Sequence, residues 1–327
     1  MSAPAPDELL DALHVVTLPL RTRFRGITER EIALVRGPHG WGEFAPFVEY
    51  GPQESARWLA AAIEAAWTGW PDPVRTAVPV NATVPAVPAG DVAGILARYD
   101  GCTTAKVKVA ESGQSRADDI DRVAAVRDAM GPHGRIRVDA NGGWTLTQAH
   151  DALAALAPFG LEYAEQPCAD VRDLARLRVE LARAGIDVPV AADESIRKAE
   201  DPLEVARLGA ADLVVVKVAP LGGVVRALEV VADCGLPAVV SSAIDSSVGL
   251  RAGVALAAAL PELEHACGLG TGALLGADVT TDPLLPVHGQ LPVRDVVPDP
   301  DLLATHAAPA ARLDWWRDRV TAALAHL

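Results

Sequence analysis

The sequence is poor in cysteine and has no cysteines at redox or metal-binding spacing. Its four cysteines, among 327 residues, are Cys102, Cys168, Cys234 and Cys267. A thioredoxin-like or zinc-ribbon motif needs two cysteines separated by only two residues. Because the four stand far apart, the simplest interpretation is a reduced chain without disulfides, and we expect a cytoplasmic protein.

Long hydrophobic runs and excess positive charge are also lacking. No apolar run approaches the roughly 18 to 20 residues of a membrane span, and residues 1–6 do not have the regions of a signal peptide. The formal charge is −14 and the pI is near 5.0. Nucleic acids and anionic membranes select basic faces, so we expect neither as a partner. A small molecule is then the expected partner, and the sequence does not predict an oligomeric state.

The first 74 residues have the pattern of a small α+β unit. Residues 13–20 and 31–35 have the composition of strands, and a Gly-Pro-His-Gly turn makes 31–44 a hairpin candidate. Residues 53–67 carry apolar side chains at spacings of three and four, which is typical of a helix. The Trp-Pro-Asp-Pro segment 70–73 then ends the helix and marks a predicted boundary.

From residue 77 the chain alternates between short apolar runs and helical stretches. Such alternation indicates parallel strands with right-handed crossovers, and eight strands favour a closed barrel. The alternative is an open doubly wound sheet, which would carry a Gly-rich phosphate loop after its first strand, where this chain has Val-Pro-Ala-Val-Pro at 84–88. The candidate strands are 78–84, 105–109, 136–140, 161–165, 188–192, 213–218, 238–242 and 263–266.

Three segments follow from this division. We expect 1–74 to form an α+β cap, 75–276 a barrel, and 277–327 a tail that returns to the cap. The tail is Pro-rich at first and ends in a predicted amphipathic helix at 309–327 that carries Trp315 and Trp316. The first domain would therefore be discontinuous in sequence.

Charged residues end five consecutive candidate strands. They are Lys108, Asp139, Glu165, Asp193 and Lys217, spaced roughly 25 to 30 residues apart, about one βα unit. In a barrel the carboxyl ends of the strands open onto one mouth, so the three carboxylates should converge there. Carboxylates that converge without a histidine or cysteine select a hard cation, so we predict a Mg²⁺ site, with Mn²⁺ as a possible substitute.

Lysines flank the predicted acidic cluster. Lys106 and Lys108 precede the carboxylates, and Lys217 follows them. A lysine acts as a base near neutral pH only where burial and nearby positive charge lower its pKa. A single strand-end Asp is more often a cap, but five residues of suitable type on five consecutive strands favour a catalytic site.

These motifs resemble the enolase superfamily, in its muconate-lactonising-enzyme subgroup. The resemblance rests on Lys106-Val107-Lys108, the Asp139 and Asn141 pair, Glu165-Gln166-Pro167, Asp193-Glu194-Ser195 and Lys217, and it extends over essentially the whole chain. It implies a (β/α)₇β TIM-like barrel under an α+β capping domain made from both chain ends. It also implies that Asp139, Glu165 and Asp193 bind the metal, that Lys108 removes a proton α to a carboxylate, and that Lys217 lies on the opposite face.

The resemblance leaves several reactions open. A hydro-lyase, an N-acylamino acid racemase or epimerase, and a cycloisomerase of this subgroup would use the same metal and lysines. A barrel that has lost catalysis and serves as a binding protein is disfavoured by the intact lysines. The candidate substrate-binding residues are Lys106, Arg137, Asn141, Ser241, Ser242, Gly268 and Leu269.

Overall fold

The computed structural model describes residues 4–198 and 201–327. The strands of this part are β1 Leu13–Phe24, β2 Ile27–Gly37, β3 Gly40–Phe44, β4 Ala77–Pro79, β5 Ala82–Val84, β6 Thr104–Lys108, β7 Arg135–Asp139, β8 Leu161–Glu165, β9 Val190–Ala192, β10 Leu213–Val216, β11 Ala238–Val240 and β12 Gln290–Pro292.

The α-helices alternate with the strands from β5 onward. They are α1 Pro6–Asp11, α2 Pro52–Ile63, α3 Val92–Leu96, α4 Arg116–Met130, α5 Leu146–Leu156, α6 Val171–Ala184, α7 Glu194–Arg197, α8 Glu204–Arg207, α9 Val218–Leu221, α10 Val224–Cys234, α11 Ser247–Ala259, α12 Pro300–Thr305 and α13 Ala310–Leu324. A π-helical turn, Glu64–Thr68, extends α2. Short 3₁₀ turns span Ala89–Asp91, Ala157–Phe159 and Gly270–Leu274.

The cap is an antiparallel sheet of β1, β2 and β3 covered by α2. The predicted hairpin at 31–44 is present as β2 and β3, which pair antiparallel. Helix α2 starts after Gly51 with Pro52 in its first turn, where a missing N–H costs nothing. The helix lies directly on β3, because a Cβ at Gly42 would be 2.1 Å from the carbonyl oxygen of Ala62. Glycine is therefore the residue that permits this close approach.

The C-terminal helix packs on the cap. Helix α13 places Arg312 and Trp316 against the carboxylate of Glu31 in β2, and the Trp316 ring meets Phe44 edge-on at 5.7 Å. Arg319 of the same helix donates to the carbonyl oxygens of Phe47 and Tyr50. The tail therefore packs against the amino-terminal layer, as the sequence predicts, whereas the domain limits at 74 and 276 stay a prediction.

The barrel consists of one parallel sheet in the order β11-β10-β9-β8-β7-β6-β5 within the described residues. Single bridges close it: Cys267 pairs with Val80 and Gly268 pairs with Ser241, all in the parallel sense. Backbone bonds from Gly268 to Val240 and from Cys267 to Pro79 fix this closure, at 2.7 Å each. The prediction of a TIM-like barrel with an α+β cap is confirmed.

Two strand predictions need correction. The expected eighth strand at 263–266 is wrong. Only the next residues, Cys267 and Gly268, form bridges to neighbouring strand segments, and the carbonyl of Ala266 accepts a bond from the Arg137 side chain instead. The expected strand 78–84 is divided into β4 and β5, because β4 pairs antiparallel with β12 while β5 turns to pair with β6. Pro79, which has no N–H to donate, lies at this change of partner.

The residues that the structure describes form no helix of the length and apolar character that a membrane crossing requires. The four cysteines are free thiols, as expected. Three of them are buried, so they pack as small apolar side chains.

Candidate functional site

The three carboxylates stand at the carboxyl ends of adjacent strands. Asp139 ends β7, Glu165 ends β8 and Asp193 follows β9. Asp139 and Glu165 are directly paired in the parallel register, so their side chains emerge at the same level. All three are at most 1% exposed. Strand alternation and register thus bring together residues that are far apart in the chain.

Lys106 links two of these carboxylates. Its Nζ donates to both oxygens of Glu165, at 2.8 and 3.0 Å, and lies 3.2 Å from Oδ2 of Asp139. Lys106 is itself 7% exposed. Its donors are therefore occupied by the acidic cluster, and its side chain also forms part of the wall of the cavity between barrel and cap.

Lys108 and Lys217 stand on the two sides of the acidic cluster. Lys108, at the end of β6, donates to Oδ2 of Asp139 at 2.5 Å and to Oδ1 of Asn141 at 2.6 Å. Lys217 follows β10 and donates to Oδ2 of Asp193 at 2.5 Å. Strands β7, β8 and β9 lie between β6 and β10 in the sheet. The lysines therefore face each other across the carboxylates.

Burial and mutual charge set the ionisation of the cluster. Burial, followed by the charge of Asp139, raises the pKa of Glu165 to about 7. Burial opposes ionisation of Asp139 as well, but Lys108 and Lys106 outweigh it and lower the pKa of Asp139. Burial likewise opposes the ionisation of Asp193, yet Lys217 lowers its pKa to about 2. Burial lowers the pKa of Lys217, the direction a base requires.

The donor chemistry of this cluster fits a hard cation. Three buried carboxylates contribute only oxygen, and a bound cation would offset both the burial and the charge of Asp139, which together raise the pKa of Glu165. As the side chains stand, no three acidic, histidine or cysteine side chains of residues 4–198 and 201–327 are grouped to hold a metal by themselves. The ammonium groups of Lys106, Lys108 and Lys217 lie against the carboxylate oxygens instead.

A narrow cavity lies above the cluster between barrel and cap, and Lys108, Asp139 and Lys217 are among the residues that line it. The cap contributes Phe24, Arg25, Phe47 and Trp58 to the wall, and Lys108 Nζ lies 5.5 Å from the centre of the Phe24 ring. The cavity is therefore closed by residues from both parts of the fold.

The residues that follow β11 and the segment 268–271, where the barrel closes, form the opposite wall of the cavity. Ser242 donates to the carbonyl of Gly268 at 2.7 Å and shares a 2.8 Å bond with Thr271. Ser241, Ser242 and Gly268 all line the cavity, as does Asn141. A Cβ at Gly268 would lie 2.4 Å from Oγ of Ser241, so glycine keeps this wall close-packed.

Two expected substrate-binding residues do not reach the cavity. Arg137 is fully buried below the carboxylates, where it pairs with Glu162 at 2.6 Å and donates to the Ala266 carbonyl at 2.6 Å. Arg137 therefore balances the charge of Glu162 inside the barrel and does not point toward a substrate. Leu269 is fully buried and packs on α11, since a Cβ at Gly253 would lie 2.5 Å from its Cδ2.

Comparisons with known families agree with this architecture. A model described as "Enolase C-terminal domain-like" matches residues 91–298, and one described as "Enolase N-terminal domain-like" matches residues 15–66. The first match alone spans more than half of the chain. The chain belongs to the enolase superfamily.

Relatives named o-succinylbenzoate synthase resemble this superfamily member over almost their full length. The protein of Mycolicibacterium smegmatis is 59% identical over 98% of this chain and 97% of the relative. That of Thermobifida fusca is 61% identical over 94% of both. The Mycobacterium leprae protein is 57% identical over 97% of this chain and 92% of its own. The chain is thus an enzyme of the superfamily, and members of the superfamily generally use Mg²⁺.

Solved structures of the superfamily share the fold. A muconate lactonizing enzyme from Pseudomonas putida superposes with a TM-score of 0.73 at 20% identity, over 90% of this chain and 98% of that chain. An N-succinyl Arg/Lys racemase from Bacillus cereus gives 0.74 at 19% identity, over 91% and 97%. At these identities the likeness shows the fold alone.

Sequence reasoning missed several side chains of this site. Arg197 lines the cavity and pairs with Asp193, four residues earlier, at 3.1 Å. That spacing of an acid and a base at the start of a helix is a signal visible in the sequence. Thr83, Trp58 and Phe24 also line the cavity, but nothing in the local sequence around them indicates it.

Proposed function

We propose that the chain catalyses the o-succinylbenzoate synthase reaction of menaquinone biosynthesis. The reaction is a Mg²⁺-dependent syn dehydration of 2-succinyl-6-hydroxy-2,4-cyclohexadiene-1-carboxylate. The observation that carries the proposal is 57–61% identity to three relatives of that name over at least 92% of each relative. The paired lysines on either side of buried carboxylates support it.

In this proposal Asp139, Glu165 and Asp193 hold Mg²⁺, with Mn²⁺ as a substitute. Their all-oxygen chemistry and their complete burial support the assignment. When bound, the ion supplies positive charge that stabilises the anion formed next to the substrate carboxylate. Lys106 lines the cavity and, through its contacts with Asp139 and Glu165, balances part of their charge.

Lys108 carries both proton transfers. As a neutral amine it takes the α-proton, so the electron pair of the C–H bond enters the enediolate. The C–O bond to the 6-hydroxyl then breaks, and the same ammonium gives its proton to the leaving hydroxyl, which departs as water. One lysine suffices because proton and hydroxyl leave from the same face, and the aromatic product supplies driving force.

Lys217 lies on the opposite face and stabilises the delocalised anion by its charge. Its contact with Asp193 fixes the ammonium, which a preorganised electrostatic group requires. Asn141, Ser241, Ser242 and Gly268, which line the cavity, are assigned to the wall beside the succinyl group. Arg137 and Leu269 are left out of this wall because the structure buries them elsewhere.

The test is a dehydration assay with Mg²⁺, followed by the absorbance of the aromatic product. The matched control is the exposed Arg226 of α10, a cation that pairs with Glu229 away from the cavity. Lys108→Ala should lose activity by about 10²- to 10⁴-fold, whereas Arg226→Ala should keep it. Wild-type protein that forms no product, or Lys108→Ala within tenfold of wild type, would contradict the proposal.

An N-succinylamino acid racemase is the second candidate, because both lysines face the cavity from opposite sides. Each lysine would then serve one enantiomer. Incubation with an N-succinylamino acid in deuterated buffer decides between them. Deuterium at the α-carbon of both enantiomers establishes racemisation, and dehydration without such exchange establishes the synthase reaction alone.

We also propose a cytoplasmic location and a small-molecule carboxylate as the partner. Four free thiols support the location, since reduced cysteines are the rule in that compartment. The domain limits 1–74, 75–276 and 277–327 remain part of the proposal. Limited proteolysis followed by mass mapping tests them.

A further inference from the structure

Arg197 is buried at the point where the acidic cluster meets the cap. It is 4% exposed and lies at the end of the single-turn helix α7. Each of its three guanidinium nitrogens donates to a different partner. Nε donates to Oδ1 of Asp193 at 3.1 Å, Nη2 to Oε1 of Glu194 at 2.6 Å, and Nη1 to the hydroxyl of Tyr50 at 3.2 Å.

The first branch of this network leads to Lys217. The carboxylate of Asp193 accepts from Arg197 through Oδ1 and from Lys217 through Oδ2, at 2.5 Å. Both of its oxygens are therefore fixed by cations from two different elements. A rotation of this carboxylate would move the ammonium of Lys217.

The second branch leads to Lys108. Oε1 of Glu194 accepts from both Arg197 and Nδ2 of Asn141, the latter at 3.2 Å. Oδ1 of Asn141 in turn accepts from Nζ of Lys108 at 2.6 Å. Asn141 has a φ of +46°, a left-handed conformation that asparagine tolerates. The bond to Glu194 orients its side-chain amide, and with it the oxygen that accepts from Lys108.

The third branch leads to the cap. Tyr50 follows the cap sheet, is 6% exposed, and packs its ring against Phe47 at 5.7 Å and Trp58 at 6.2 Å. Phe47 and Trp58 themselves line the cavity. The hydroxyl of Tyr50 therefore connects Arg197 to the cap.

We infer that Arg197 is a positioning residue that fixes the ammonium groups of Lys108 and Lys217 together, and that the hydroxyl of Tyr50 ties this network to the cap. The inference rests on the proposed function. Arg197 acts through Asp193, Glu194 and Asn141 and makes no contact with the reacting atoms. A planar guanidinium with three directed donors suits this task, whereas a lysine cannot span three acceptors.

The alternative is direct binding of a substrate carboxylate, because Arg197 lines the cavity. The two roles differ in kinetics. Loss of a positioning residue lowers kcat with little change in KM, while loss of a substrate contact made equally in ground and transition states raises KM.

The experiment compares Arg197→Gln, Arg197→Lys and Tyr50→Phe in the full-length enzyme with Mg²⁺. The control is Arg127→Gln, since Arg127 is a half-buried arginine of α4 that also donates to several acceptors, the carbonyl oxygens of Phe159, Gly131 and Gly134, but lies away from the cavity. Loss of a residue that orients ligands costs about 10- to 100-fold, so Arg197→Gln should lower kcat by that factor with KM nearly unchanged. Arg197→Lys should recover only part of kcat, Tyr50→Phe should lower it less than Arg197→Gln, and Arg127→Gln should keep it.

Two kinetic outcomes overturn the inference: a KM that rises at constant kcat, or a kcat of Arg197→Gln equal to that of Arg127→Gln. A crystal structure of Arg197→Gln without substrate provides a test independent of turnover. In that structure we expect the bond between Lys108 and Asn141 to be lost. If this bond and the bond between Lys217 and Asp193 are both retained, the inference is also overturned. If wild type does not dehydrate the substrate, the proposed function fails, while the crystal structure still decides the role of Arg197.

Discussion

Lys217 and Asp193 lie 2.5 Å apart, Nζ to Oδ2, although 24 residues separate them in the chain. The contact places one ammonium at the end of the carboxylate row opposite Lys108. Both partners are buried, so their attraction is little screened by solvent. The pair holds the ammonium of Lys217 against the carboxylate row, which is the arrangement on which the proposed chemistry depends.

Replacing the carboxylates should weaken metal binding. Asp139→Asn, Glu165→Gln and Asp193→Asn each remove one negative oxygen donor, which a hard cation needs. We expect each change to raise the Kd for Mg²⁺ by about tenfold or more, measured by titration calorimetry of the protein with MgCl₂. The control is Asp173→Asn, an acidic residue of α6 paired with Arg176 away from the cavity. Unchanged Mg²⁺ affinity in all three variants would contradict the assignment.

Stability should decrease as the pH rises through the titration range of Glu43. This carboxyl is buried beside Asp245, and burial followed by that charge raises its pKa to about 8. Because the folded state then binds a proton that the unfolded state releases near pH 4.5, the free energy of unfolding falls between about pH 4.5 and 8. Three charged groups face Glu43 and contribute to this pKa. Asp245 and Asp278 raise it, and Arg30 lowers it.

Urea unfolding of wild type and Glu43→Gln at several pH values measures this effect. Gln keeps an oxygen for the donors Ser246 and Gly249 but does not titrate. The variant should therefore gain stability relative to wild type as the pH rises to about 8. A difference that is constant over this range would show that Glu43 does not titrate in it.

Leu269 should contribute to stability and not to substrate binding. It is fully buried, so Leu269→Ala should cost about 2–4 kcal/mol in the free energy of unfolding while KM stays at the wild-type value. The matched control is Leu256→Ala, because Leu256 of α11 is also fully buried. A KM raised in Leu269→Ala but not in Leu256→Ala would restore the role that the sequence suggested.

A methyl group at Gly42 should separate the cap sheet from its helix. The new Cβ would meet the backbone of Ala62 at 2.1 Å, and overpacking of this kind costs about 1–3 kcal/mol. Gly94→Ala provides the contrast, since Gly94 is exposed, helical and free of neighbours within 4 Å. Thermal unfolding should show a lower Tm for Gly42→Ala and an unchanged or higher Tm for Gly94→Ala. Equal Tm values would refute the close approach.

The strand ends and their charges were predictable from local patterns. Short apolar runs that end in a charged residue assigned Asp139 and Glu165 to the carboxyl ends of buried strands, and the spacing of βα units placed them next to each other. The eighth strand was mispredicted because apolar composition at 263–266 does not show which backbone groups find a partner. Only Cys267 and Gly268 do, through single bridges.

The sequence by itself determined the barrel, the cap and the order of lysines and carboxylates around the mouth, because these depend on local periodicity and chain length. The tertiary structure alone decided which side chains reach the cavity. Arg137 and Lys106 face the same interior, yet Arg137 turns to Glu162 while Lys106 reaches Glu165. Phe24 and Trp58 join the site because the cap is seated on the barrel, and no local pattern encodes a contact between segments so distant in the chain.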